Sequence, residues 1–446
     1  MKMKRNSFLL VMLSGAVFFA LLFGCSNESA ETLQNAEPPK ESSEQRQNQP
    51  EPEEVQEQKE PATVRFSSKG WFTDEEFERL IMQPVAEQAP YITVEVLEGT
   101  IDAQLNAGEI PDIIITHNGV MLEYSDRGLM SDLNELVKKH QLDLDRFDPS
   151  VLESLTYEGK LMAVPFAVNF TALYYNTDIF DMFGVEYPPD GMTWDDVIEL
   201  AARVSREHEG VSYRGLDLET PGRFLRVMGL DTVDYRTNKA LVNSEDFRTI
   251  LDITHRVFSI PGNRPASGNV AGNINEFFSD KTVAMLATTN RFFQLFEADR
   301  NGLNWDVAQY PSIPGRENIG TDVDAHLFAV PVTAPNRDAA VELIKIVTSD
   351  EIQMIMTRET ARLSPLKDPV FAQNFAKDLE LAKGKNIEGI FKSRRIPAPI
   401  RSVYSSDANR IFLEQVQLFV DGAKDANTAL RDAEEAINQF IASNPR

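Results

Sequence analysis

Between residues 26 and 60 the chain has no aromatic residue, no glycine, and only Leu33 and Val55 as large aliphatic side chains. Ten glutamates stand there against Lys40, Arg46 and Lys59. Such a segment cannot bury enough apolar surface to offset its chain entropy, so it is expected to stay outside any core. It divides the sequence into an apolar leader, an acidic tether and a long remainder of ordinary globular composition. That remainder, roughly 385 residues from Ala62 onward, exceeds what one hydrophobic core sustains, and two lobes are expected.

The leader reads as a secretory signal over residues 1–24. Lys2, Lys4 and Arg5 precede an uncharged run from Phe8 to Phe23, which is slightly short for a span of about 20 apolar residues. Cys25 follows, the only cysteine of the chain. The end "LFGC" resembles a bacterial lipobox, which implies that Cys25 is lipidated and that residues 25–60 tether a body to the extracellular face of a membrane. A free thiol in a plain N-terminal anchor is the other reading. Without a second cysteine no disulfide can form within the chain, so stability must come from packing. The formal net charge of −25 argues against nucleic acid as a partner and against docking on anionic lipid heads.

The remainder alternates strand and helix signals. "ATVRFSS" is a strand ending in the loop "SSKGWFTDEE". Thr73 is set to cap the next helix, with Glu76 as its reciprocal partner. Phe77, Leu80, Ile81 and Val85 form the buried stripe, and Pro84 should kink that helix or end it early. Ile113, Ile114 and Ile115 in a row suit a parallel strand buried on both faces. Ligands of such sheets bind beyond the strands' carboxyl ends, which puts Ser67–Trp71 and Thr116–Asn118 on one rim.

The stretch 158–204, "EGKLMAVPFAVNFTALYYNTDIFDMFGVEYPPDGMTWDDVIELAARV", resembles the central signature of bacterial extracellular solute-binding proteins, family 1. These are importer receptors of the maltose-binding-protein type. Gly159-Lys160, Val164-Pro165, Tyr175-Asn176, Asp178, Phe180, Pro188-Pro189 and Thr193-Trp194 carry the match. "FFSDKTVAMLATTNRFF", "WDVAQYPSIPG" and "HLFAVPVTAPNRDAAVELIKIVTSDEIQ" follow in the family's order. The resemblance implies an α/β fold, a two-lobe clamp of the type II periplasmic-binding-protein class, each lobe a mostly parallel sheet flanked by helices. It places 61–168 plus 325–350 in the first lobe and 169–324 plus 351–446 in the second. Crossings are implied near 167–172, 320–327 and 349–352.

It also implies a cargo in the cleft, an ABC permease as membrane partner, and a monomer that needs no cofactor. A saccharide would be gripped by flat rings and planar polar groups. Candidate contacts are Lys69, Trp71, Thr116, His117, Asn118, Asn169, Thr220, Arg223, Arg291, Phe292, Asp322, Asp324 and Tyr404. Each has a structural alternative. Trp71 and Tyr404 could pack in a core, and one of Phe292 and Phe293 must face inward. His117 could be an ordinary loop residue. Arg223 and Arg291 could pair with surface carboxylates, and Asp322 and Asp324 could shape a turn. Trp194 and Trp305 read as structural.

Catalysis finds little support. There is no Gly-x-Ser-x-Gly elbow and no phosphate loop. Residues 117, 140, 208, 255 and 326 are the histidines, and none stands at metal-ligand spacing from another. Three alternatives stay open: a ligand-presenting sensor, a clamp for a polyamine, peptide or organic ion, and a secreted carbohydrate-active enzyme with two facing carboxylates.

Overall fold

Two sheets organise residues Lys59–Arg446, the part of the chain that the computed structural model describes: one of five strands, and one of three strands to which a two-stranded ladder is joined by a single bridge. The signal segment, Cys25 and nearly all of the tether lie outside the described residues. The strand Ala62–Phe66 pairs parallel with Ile92–Val96 and touches Ile113 through Phe66. Ala325–Ala329 then lies antiparallel between Ile114–His117 and Val164–Val168. Four strands of this sheet thus run one way and the inserted one the other. The three isoleucines sit at its centre, at 0, 2 and 7% exposure, which is why an unbroken apolar run is tolerated there.

The second sheet has the order Trp305–Gln309, Thr171–Asn176, Val283–Thr289, Val211–Asp217 and Arg206–His208. Thr171–Asn176 runs against both of its neighbours. In each lobe, therefore, a strand that enters from the other lobe is a reversed one. Trp194 and Trp305 are buried, Trp194 edge-on to Phe224 and Tyr310.

The helix after Thr73 begins as its cap predicts. Thr73 Oγ1 accepts from the Glu76 amide, and the Glu76 carboxylate accepts from the Thr73 amide. Pro84 does not end it. A π-turn over Glu78–Met82 precedes the helical segment Gln83–Gln88, which contains the proline. The widened turn absorbs the carbonyl that proline cannot serve. Phe77, Leu80, Ile81 and Val85 are all buried, as their spacing requires.

The chain leaves the first sheet after Val168, joins the second at Thr171 and re-enters the first at Ala325. The helix Asp350–Glu359 buries Ile352 and Met356, and Gln353 donates to the Phe166 carbonyl. Leu363, Pro365 and Arg146 continue backbone pairing through Lys367. Asn290 donates to the Ala361 carbonyl, Phe375 packs on Phe292, and the Asn386 amide donates to Asp306. Short backbone bonds tie the joint together: Val168 to Leu363, and Asn169 to Asp324, each 2.8 Å.

Candidate functional site

The first wall of the cleft begins with a turn that has no room for a side chain. Gly70 adopts φ +57°, and a Cβ there would lie 2.3 Å from Ile115 Cγ2. The turn presents Trp71, 43% exposed, flat on the imidazole of His326, with ring centres 3.9 Å apart and planes at 8°. His326 and His117 are register partners on adjacent strands, so His117 also approaches the indole, at 6.4 Å. Arg362 holds the loop from behind. It donates to the Trp71 carbonyl and to both oxygens of Glu76. At the floor, Asn169 Nδ2 lies 3.0 Å from Asp324 Oδ2 and 3.1 Å from His326 Nε2.

The opposite wall is ionic. Glu219 sits in the left-handed region at φ 59°, an uncommon conformation for a glutamate and one concentrated at ligand clamps. Its carboxylate receives Arg223 at 2.8 and 2.9 Å, and also Arg291 and the Thr288 hydroxyl. The helix Arg223–Met228 carries Arg226 to the crossing, 3.1 Å from Asp322 and 2.7 Å from Asp324. Arg401 takes the other Asp322 oxygen at 2.6 Å. The lobes come close here, for the position a Gly119 Cβ would occupy lies 3.9 Å from Arg226 Nη1.

Burial and pairing set the protonation states. Burial drives His326 down to about 4, with only Asp324 opposing it, and lowers His117 in the same way. Burial works against the charge of Asp324 too, but Arg226 outweighs it and holds the acid below the usual carboxylate range. Glu219 is lowered likewise, its burial overcome by Arg223 and Arg291. Asp322 goes the other way, because complete burial outweighs its two guanidinium partners.

Two hollows flank the Asp324–Arg226 contact. A crevice of about 60 Å³ is lined by Trp71, Asn169, Asn290, Phe293, His326 and Arg362, among others. A cavity of about 280 Å³ is lined by His117, Thr220, Arg223, Arg226, Arg401 and Asn409, among others. A larger recess of about 580 Å³ lies among Lys139, His140, Arg146 and Lys345 on the first lobe. It includes no aromatic side chain but the imidazole of His140, and Lys345 and Arg146 there donate to the His140 and Thr348 carbonyls at helix ends. We read it as a surface feature.

The structure brings together Trp71, His117, Asn169, Thr220, Arg223, Arg291 and Asp324. It sets others apart. Phe292 is 1% exposed and packs edge-on against Trp305 and Phe375, so it reaches the crevice only from within the core; its neighbour Phe293, 61% exposed, lines the same crevice with an open ring. Tyr404 is a core residue whose hydroxyl accepts from the Arg446 amide. Asn118 pins the second crossing, donating to the Val323 carbonyl and accepting from the Ala325 amide. Asp322 is fully buried, Thr116 lies within a strand, and Lys69 pairs outward with Asp74. The sequence reading did not single out Glu219, Arg226, His326 and Arg362, and it weighed Phe293 only as the partner of Phe292. Only Phe293 had a signal, as the other half of a Phe-Phe pair.

A two-lobe fold with Trp71 on one face of the gap and a guanidinium–carboxylate lattice on the other has the form of a clamp for a small solute. Residues 85–383 match the model of the bacterial extracellular solute-binding proteins, and the chain belongs to that family. It is 20% identical to a putative binding protein of Brucella abortus over 65% of this chain and 70% of that one. It is 21% identical to the sn-glycerol-3-phosphate-binding periplasmic protein of Brucella melitensis over 80% and 87%. An ABC substrate-binding protein of Listeria monocytogenes, solved in complex with cycloalternan, superposes with a TM-score of 0.69 at 19% identity, over 86% of this chain and 99% of that one. Among the described residues no helix is long and apolar enough to cross a membrane.

Proposed function

We propose that this protein is the substrate-binding component of an ABC importer, that its cargo is a neutral saccharide, and that it captures this cargo by lobe closure without chemical change. One observation carries the cargo. Trp71 from the first lobe and Phe293 from the second, both exposed aromatic rings, line the same crevice beside Asn169, Asn290 and Arg362. Flat rings take the C–H faces of a sugar and planar polar groups its hydroxyls. The ionic wall supports a neutral ligand, because Arg223, Arg226, Arg291 and Arg401 each stand against Glu219, Asp322 or Asp324. The same pairing weakens the polyamine reading and the glycosidase reading, since both need a carboxylate free to act. The cycloalternan complex of the Listeria protein agrees with a saccharide. His117, Thr220 and Asn409 would take hydroxyls in the larger cavity.

In this reading residues 1–24 are removed, Cys25 is lipidated, and a monomeric body is held at the extracellular face, where the closed form is presented to a permease. The test is a thermal-shift screen of the full chain against saccharides, polyols and diamines, with recovery of unaltered ligand. Cargo at about 100 times its Kd adds about 2.7 kcal/mol to the folded state, enough for a rise of several degrees. A rise with a diamine and with no saccharide overturns the reading, as does recovery of a converted sugar.

A further inference from the structure

We infer that His326 is a positioning residue: its imidazole sets the plane of Trp71 and, through Nε2, the orientation of the Asn169 amide, so that the crevice presents one indole face and one carbonyl acceptor. The argument starts from Asp324. A carboxylate paired with Arg226 only accepts hydrogen bonds, so the group of Asn169 that lies 3.0 Å from it must be Nδ2. The second hydrogen of Nδ2 then points to His326 Nε2, 3.1 Å away, which makes Nε2 an acceptor. The ring is therefore neutral with its proton on Nδ1. Both amide hydrogens of Asn169 are used, and its Oδ1 has no protein donor among the described residues. Asn169 is half-buried on the crevice wall, beside the indole.

The stack completes the device. At 3.9 Å and 8° the imidazole lies under the indole, and Phe166 stands 6.0 Å from the same ring. The Trp71 side chain cannot tilt without losing that contact. For a saccharide, a C–H face must therefore lie on the indole while a neighbouring hydroxyl donates to Asn169; this consequence rests on the saccharide reading, and the positioning does not.

Acid reverses the arrangement. A protonated Nε2 would donate toward an amide that also donates, so Asn169 would have to turn and abandon Asp324. The charged and titratable groups around His326 are Asp324, His117 on the paired strand, Arg362 behind Trp71, and Arg226 from the second lobe. Burial and the cationic members outweigh Asp324, so the neutral ring persists down to about pH 4.

The indole itself is the probe. Trp71 is 43% exposed, whereas Trp194 and Trp305 are 1 and 0% exposed, so acrylamide quenching of the full chain reports Trp71, with Trp71→Phe as background. A protonated imidazole against an indole quenches its emission by accepting an electron. The expected result is a loss of Trp71 emission centred near pH 4 while the far-ultraviolet circular dichroism is unchanged. His326→Phe, which keeps a ring but cannot titrate, should abolish this loss and retain the native acrylamide quenching. His326→Gln, which lacks the ring, should raise the quenching. At pH 7, binding of whichever of maltose, lactose and mannobiose the wild type accepts should weaken about tenfold in His326→Phe, through the disoriented amide. Persistence of the acid quench in His326→Phe, or unchanged quenching in His326→Gln, overturns the positioning role. Absence of saccharide binding with the fluorescence behaving as expected overturns the cargo and upholds the positioning.

Discussion

The two walls of the cleft solve different problems. The first is built of uncharged groups, Trp71, His117, His326 and Asn169, and owes its shape to stacking and to a glycine turn with no spare volume. The second is built of ions, Glu219, Arg223, Arg226 and Arg291, and owes its shape to charge-assisted bonds around a glutamate in a strained conformation. The first fixes a surface and the second fixes directions. A neutral polyhydroxylated ligand needs both, because its faces are apolar and its rim is polar.

The largest expected effects come from breaking the ionic side. Asp322→Ala should cost about 3–5 kcal/mol in urea unfolding, since it leaves Arg226 and Arg401 without their shared buried partner. Phe292→Ala should cost a similar amount through a core cavity. Its neighbour Phe293→Ala should change stability by about 0.5 kcal/mol or less while weakening saccharide binding in calorimetry. If both variants lose equal stability, the assignment of Phe293 to the cleft fails.

The uncharged side is best probed by pH. His326 has a folded value below its ordinary 6.5, so the unfolded chain binds the proton first as the solution is acidified. The stability it contributes is complete above pH 6.5 and is lost as pH falls toward about 4. His117 acts in the same direction. Asp324 and Glu219, held below their ordinary range, add a further loss at lower pH, when those acids take up protons. The melting temperature should thus fall between pH 6.5 and 4, and His326→Phe should flatten that slope. The smallest effect is expected away from both walls. Arg410→Ala, which removes an exposed pair with Glu414, should move stability by about 0.5 kcal/mol or less.

How much of this was readable in the chain follows from the range of the interactions. The capping box at Thr73, the buried triplet Ile113–Ile115 and the structural roles of Trp194 and Trp305 depend on neighbours a few residues away, and the sequence reading of each agrees with the structure. The rim formed by the Trp71 and His117 loops followed from strand order. Phe292 was chosen over Phe293 because nothing local fixes the phase of a helix that begins at that residue. Tyr404 reads as a cleft ring until the chain end folds back to bring the Arg446 amide to its hydroxyl. The Trp71–His326 stack joins a turn to a strand some 255 residues later, and no local pattern at either place announces it. Pro84 was expected to kink a helix or end it early, and the π-turn that lets the helix continue through it leaves no mark in composition.

The Gly70 turn carries one more consequence. Since its backbone rests directly on Ile115, the height of the indole above the sheet is dictated from beneath, by a residue that no solute touches. Trimming that isoleucine by a single methyl would let the loop settle and deepen the floor, so cargo preference could drift through a substitution in the hydrophobic interior while every side chain facing the ligand kept its identity.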